Sequence, residues 1–209
     1  MADLTMLAFE LADKYRNPAI VLTDGFIGQM IEPLELEERQ ISLPDKPWAV
    51  TGFRETRKNL VNSIYLETDE LEAHVRHLEE KYRRAQEEEP RHELYLADDA
   101  EVLVVGYGIV SRVLRSAVEQ VRKFGLRAGL FRPITLWPFP SKALAEAAAR
   151  CRSVLVVELS TGQMVEDVRL ALDGRVPVDF YGRSGGNVPQ AEEIRDRLLA
   201  RAADLVTVG

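Results

Sequence analysis

From Ala100 to the C-terminus the chain alternates between short, nearly continuous apolar runs and longer stretches whose apolar residues recur every three or four positions. The runs EVLVVG (101–106), RAGLF (127–131), SVLVVE (153–158) and VPVDFY (176–181) read as strands. Between and after them, 109–124, 141–150, 163–172 and 189 to about 202 read as helices, the first stopped by Gly125. Strands that are apolar throughout, separated by helices, indicate a parallel sheet covered on both faces, a doubly wound α/β domain. A ligand site in such a sheet lies at the carboxyl ends of the strands. Here those ends carry the loops GYGI, RPITLWPFP, LSTGQ and GRSGGN.

Upstream the pattern is less complete. Leu4, Leu7, Ala8 and Leu11 fall at helical spacing over residues 2–15, Asn17-Pro18 stops that helix, and AIVLT (19–23) reads as a strand. One helix and one strand cannot bury enough apolar surface to offset their ordering entropy, so the first thirty or so residues read as the tail of another domain or as a docking arm. Residues 36–98 form a connector with little period, except that Leu71, Val75, Leu78 and Tyr82 mark the packing stripe of a charged helix at about 69–89. The expected organisation is therefore a remnant α/β unit at 1–35, a connector at 36–98 and a doubly wound domain at 99–209.

Composition narrows the function. At 209 residues the chain has room for one full domain and part of another. A net charge of −7 and a pI near 5.2 exclude a general nucleic-acid or membrane-surface binder, which needs a basic face. No stretch approaches the ~18 consecutive apolar residues of a membrane span, and the acidic N-terminus lacks a signal peptide's basic segment, so a cytoplasmic location is expected. A lone cysteine, Cys151, permits no internal disulfide and cannot by itself hold an iron–sulfur cluster.

Several motifs carry candidate chemistry. VVGYGIVSRV places Gly106 and Gly108 between a strand and a helix, as a dinucleotide fingerprint does, with Ser111 at the third glycine position. Arg132, at the end of the next strand, suits a 2′-phosphate, which makes a stand-alone NADP-type binding or regulatory module the alternative function. The plainer reading is a tight strand-to-helix turn. GRSGG (182–186) spells a hydrolase elbow around Ser184, but His74, His77 and His92 all precede the serine, against the chain order that fold requires. His74 and His77 read as a solvated helix face rather than a metal clip, and no metal or catalytic residue is assigned.

Four longer stretches, LTDGFIGQMIEP (22–33), FRPITLWPFP (131–140), VVELSTGQMVEDVRLAL (156–172) and FYGRSGGNVPQAEEI (180–194), resemble the alpha subunit of the 2-oxoacid:ferredoxin oxidoreductases, nearest the branched-chain (2-oxoisovalerate) and 2-oxoglutarate types. The resemblance implies a domain like the C-terminal domain of transketolase, preceded by the last helix and strand of a pyrimidine-binding domain that is otherwise missing. It also implies oxidative decarboxylation of a 2-oxoacid to an acyl-CoA with electrons passed to ferredoxin. Thiamine diphosphate and magnesium would be held mainly by a beta subunit, and the iron–sulfur cluster by another chain such as a gamma or ferredoxin-like subunit. No cofactor is expected on this chain alone, which is expected to be inactive by itself and to self-associate through the surface left bare. Under this reading Asp24 and Gly25, like Gly106 and Gly108, border the cofactor cleft. Arg132, Trp137 and Phe139 form a proline-stiffened interface or coenzyme A border, and Glu158 and Gln163 form a polar rim.

Overall fold

A computed structural model describes residues 1–35 and 45–207, the side chains of 204–207 excepted. The helices are α1 (Ala2–Tyr15), α2 (Gly25–Gln29), α3 (Thr68–Glu88), α4 (Gly108–Lys123), α5 (Ser141–Ala148), α6 (Met164–Leu172) and α7 (Ala191–Thr207), with a 3-10 turn at Arg54–Asn59. The strands are β1 (His92–Tyr95), β2 (Val102–Val105), β3 (Ala128–Pro133), β4 (Ser153–Glu158) and β5 (Val178–Gly182). Two compact units result, one of Met1–Thr23 with Gln29–Ala85, the other of Asp24–Gly28 with Gln86–Gly209.

The second unit is one five-stranded sheet in the order β1-β3-β2-β4-β5. The pairs β3–β2, β2–β4 and β4–β5 are parallel, as the apolar runs require. Alternate residues of each run face opposite ways. Leu103, Val105, Phe131, Val154 and Val156 pack under α5 and α6, whereas Val102, Val104, Leu130, Leu155 and Val157 pack under α4 and α7. This is the doubly wound arrangement read from sequence.

The strand β1 was not expected. It lies in the stretch read as connector and runs antiparallel to β3, with Glu93 opposite Arg132 and Leu94 opposite Phe131. Its four residues are too few and too polar to announce a strand. Long-range contacts hold it instead: the His92 ring stacks on Phe131 at 5.2 Å, and Thr135 Oγ1 accepts the Arg91 amide at 2.9 Å.

In the first unit, α1 ends at Arg16 in the left-handed conformation (φ 50°), one residue before Asn17-Pro18. Tyr15 is its buried anchor, with the Arg84 guanidinium 5.3 Å from the ring centre and Lys81 Nζ donating to Asn17 Oδ1 at 2.5 Å. Residues 19–23 do not form the expected strand, and Ile20 is 86% exposed. The predicted stripe on α3 also stays largely uncovered, since Leu71, Val75 and Tyr82 are exposed and Ala85 is the buried position. Sequence pattern marks which residues need burial, and tertiary partners decide whether they get it. Among the described residues no helix is long and apolar enough to cross a membrane.

Cys151 closes the α5–β4 turn beneath the sheet, its thiol donating weakly to Ala100 O at 3.4 Å. Burial pushes that thiol up to about 11. A raised thiol pKa means that folding holds the proton, so this contribution to stability is whole below the unfolded thiol's pKa and lost as pH rises toward 11. Cys151 should therefore resist a thiol reagent near neutral pH and react fully once the chain is unfolded in guanidinium. Independently, a Cβ on Gly129 would lie 2.7 Å from Leu96 O and 2.8 Å from Ala97 Cα, both backbone atoms. Gly129→Ala should cost about 1–3 kcal/mol in urea unfolding.

Candidate functional site

The chain direction across the sheet reverses at β2: β3 lies on one side of it and β4 on the other. In a doubly wound sheet the crevice outside the carboxyl ends of two such strands is where ligands bind. Here it is bordered by Gly106-Tyr107-Gly108 after β2 and by Ser160-Thr161-Gly162 after β4.

Glu158, the last residue of β4, is 1% exposed. Sequence alone placed it on a polar rim; the structure turns its carboxylate inward onto the start of α6. Oε1 accepts the Val165 amide at 2.9 Å. Oε2 accepts the Met164 amide at 3.0 Å, the Gln163 amide at 3.3 Å and the Ser160 hydroxyl at 3.0 Å. Those amides are the donors that a helix start leaves without intrahelical partners, and a carboxylate there is also favoured by the helix dipole. Gln163 contributes its backbone, as the residue before α6, and its side chain is exposed. The turn is packed from the far side by Gly182, where any Cβ would collide with Ser160 O.

Asp24 does the equivalent work at α4. Its Oδ2 accepts the Ile109 amide and its Oδ1 the Ile27 amide, both at 2.8 Å. Asp24–Gly28 thereby joins the sheet unit although it lies 85 residues from Ile109 in the chain. Gly108 (φ +60°) is pressed against this carboxylate, so closely that a Cβ would overlap Asp24 Oδ2. Gly106 has no room for a side chain either, with a Cβ falling 2.6 Å from Leu114 Cδ1 and 3.2 Å from Val157 O. The Ile109 amide that a nucleotide phosphate would seek at this glycine turn is already bonded to a carboxylate. Gly25 has nothing within 4 Å of a Cβ position and makes no comparable contact.

Between the two capping carboxylates stands Tyr107, half-buried, its ring against the core under α5 and α6. Its phenol is held above the ordinary value, first by burial and then by the negative charges of Glu158 and Asp24. Sequence reasoning passed over it as the middle letter of GYG. Asp167, in the first turn of α6, is likewise raised by burial and by Glu158 and Glu166.

The proline-rich crossing after β3 divides. Ile134 and Thr135 amides bond to Arg91 O at 2.9 and 3.2 Å, and Leu136 and Phe139 pack on the chain's own core. Phe139 thus seals its sheet, while Trp137 stays 57% exposed. Arg132, read as a free guanidinium for phosphate or carboxylate, pairs with Glu93 across the β1–β3 ladder at 2.8 Å. That partner was hidden because β1 was. Among the described residues no three His, Cys, Asp or Glu side chains converge to hold a metal. An open groove of about 630 Å³ between α5 and α6, lined by Lys142, Ala145, Glu146, Leu170 and Arg175 among others, shares no residue with the crevice.

The architecture and the capped helix starts define a doubly wound α/β domain. Residues 100–194 match the family model of the pyruvate:ferredoxin oxidoreductase core domain II. Over 98% of its length the chain is 52% identical to the ketoisovalerate oxidoreductase subunit VorB of Methanothermobacter thermautotrophicus, and over 94% it is 30% identical to the 2-oxoglutarate synthase subunit KorA of Methanothermobacter marburgensis. The chain belongs to the family of 2-oxoacid:ferredoxin oxidoreductase subunits. It spans 58% of the length of that VorB and 60% of that KorA. A solved 2-oxoglutarate:ferredoxin oxidoreductase from Magnetococcus marinus, with 2-oxoglutarate, coenzyme A and succinyl-CoA bound, shares the fold at a TM-score of 0.58 and 22% identity, over 65% of this chain and 24% of that one.

Replacing Glu158 by Ala should strand buried donors at the start of α6 and cost about 1–3 kcal/mol or more in denaturant unfolding. Asp24→Ala should cost about 1 kcal/mol and accelerate hydrogen exchange at the Ile109 and Ile27 amides specifically.

Proposed function

We propose that this chain is part of a subunit of a thiamine-dependent 2-oxoacid:ferredoxin oxidoreductase and serves assembly and the border of the active site rather than bond-making. The observation that carries the reading is the 52% identity to a ketoisovalerate oxidoreductase subunit along 98% of the chain. Because identity falls to 30% against the 2-oxoglutarate synthase subunit, the proposed substrate is a branched-chain 2-oxoacid, decarboxylated to its acyl-CoA while ferredoxin takes the electrons.

The division of labour follows from the donor set. The carboxylates at the crevice, Asp24 and Glu158, are spent on backbone amides, and no metal-holding cluster exists among the described residues. These residues do not fit a magnesium diphosphate, and Cys151 alone does not fit an iron–sulfur cluster. In this reading thiamine diphosphate with magnesium is held mainly by a beta subunit, and the iron–sulfur cluster by another chain such as a gamma or ferredoxin-like subunit. Exposed apolar residues fit an assembling chain: Ile20, Leu22, Ile31 and Leu34 near the N-terminus, and Trp137 on the crossing. The same residues predict self-association of the isolated chain, to be checked by sedimentation.

Co-expression with a thiamine-binding companion should give a stable complex that reduces ferredoxin in the presence of coenzyme A, faster with ketoisovalerate than with 2-oxoglutarate. Failure to associate, or thermal stabilisation of the isolated chain by NADP, would overturn the reading. Within that complex Trp137→Ala should weaken association at least tenfold, as loss of an aromatic anchor worth about 2 kcal/mol does.

A further inference from the structure

On its β5 side the sheet ends in an unpaired edge. The register of β5 on β4 fixes which of its backbone groups are spent. The Val154 amide donates to Pro177 O at 2.9 Å and the Arg183 amide to Glu158 O at 3.0 Å, with Val154 opposite Val178 and Glu158 opposite Gly182. In a parallel ladder of that phase Pro177, Asp179, Tyr181 and Arg183 turn their backbone groups to β4, whereas Val178, Phe180 and Gly182 turn theirs away from it. Among the described residues no strand lies beyond β5 and nothing bonds those outward amides and carbonyls. Every residue of β5 is only part-buried, where β4 is buried throughout.

An open edge is a template for another strand unless its sequence blocks pairing, by proline, lysine, a bulge or very short length. The opposite edge is blunted in this way: β1 has 4 residues and sets His92 and Glu93 in the open. The edge of β5 is not. VDFYG (178–182) holds no proline and no lysine, and its one charge, Asp179, is matched inside the chain by Arg201 at 2.8 Å. Phe180 packs on the core beneath α5 and α6, and Tyr181 on the opposite face, so the edge is presented by a strand anchored from both sides.

We propose that the β5 edge pairs with β5 of a second copy of this chain, antiparallel about a two-fold axis at Phe180, so that one sheet runs through both copies. The segment is complementary to itself in that register. Phe180 faces its own counterpart, an aromatic pair of the kind that stabilises adjoining strands; Val178 faces Gly182, and Asp179 faces Tyr181, so no charge opposes a like charge. Each outward amide then meets an outward carbonyl, because Val178, Phe180 and Gly182 lie opposite one another across the axis. A side chain cannot stand at Gly182, where a Cβ would overlap Ser160 O, which leaves space beside the partner copy's Val178. This pairing is independent of the oxidoreductase reading.

Amide hydrogen exchange of the whole chain, followed by NMR from micromolar to millimolar concentration beside sedimentation, reads the edge directly. The amides of Asp179, Tyr181 and Arg183 should be protected at every concentration, and those of Val178, Phe180 and Gly182 only as a dimer forms. Val178→Pro removes an outward donor that the chain itself does not use, and the axis repeats the loss. It should raise the dimer dissociation constant about tenfold or more while the monomer stays folded. A monomer at all concentrations overturns the pairing. So does a dimer in which Val178, Phe180 and Gly182 exchange as freely as in the monomer, the result expected if the exposed apolar residues near the N-terminus make the contact. Protection of those three amides only when a companion chain is added also overturns it, since the edge then receives a different strand. Should Val178→Pro fail to fold, the alternating amide pattern of the unaltered chain still decides.

Discussion

One constraint organises the carboxyl edge of the sheet: the amides at the start of a buried helix must be paired, and here carboxylates pair them. Glu158 is 1% exposed and accepts four donors, which ties the end of β4, the Ser160-Thr161-Gly162 turn and the first residues of α6 into one piece. Unpaired, those amides would each cost on the order of 1–3 kcal/mol in a setting that water scarcely reaches. The tight approach of Gly182 to Ser160 O, and the placing of α6 over Val154 and Val156, both presuppose that turn.

The same solution at α4 has a longer reach. Asp24 comes from far upstream in the chain, so its bonds to Ile109 and Ile27 fasten the short Asp24–Gly28 segment to the sheet unit. The glycines of the GYG turn then have a structural reason that needs no ligand. Gly108 makes room for a carboxylate at a positive φ, and Gly106 lets α4 lie close on β2 and β4. What a nucleotide-binding fold uses to grip phosphate, this chain uses to grip itself.

The family relationship bears on which surfaces matter. The chain matches a little over half the length of its relatives, and its apolar side chains at Ile20, Leu22, Ile31 and Trp137 are exposed. The strand-like sequence AIVLT forms no strand, and its Ile20 and Leu22 are exposed. Large exposed apolar side chains in such number are costly in water, which is the physical ground for reading the chain as one component of an assembly.

By itself the sequence determined the parallel core. The apolar runs of the strands and the spacing along α4 to α7 are local signals, clearest at β2 and in the Val154–Val157 run of β4, where burial on both faces demands consecutive apolar side chains. It also carried the family resemblance, through the stretches at 22–33, 131–140, 156–172 and 180–194. Only the tertiary structure decided how the polar groups are spent. Short β1 exists because β3 and Thr135 hold it, so neither the strand nor the Glu93 partner of Arg132 was legible. Phe139 turned inward and Trp137 outward from adjoining stretches of one loop, a division composition cannot express. Asp24 read as a border of the cofactor cleft and Glu158 as part of a polar rim until the fold brought them to two helix starts, because a carboxylate's role depends on which donors surround it, and those donors are set by residues up to 85 positions away.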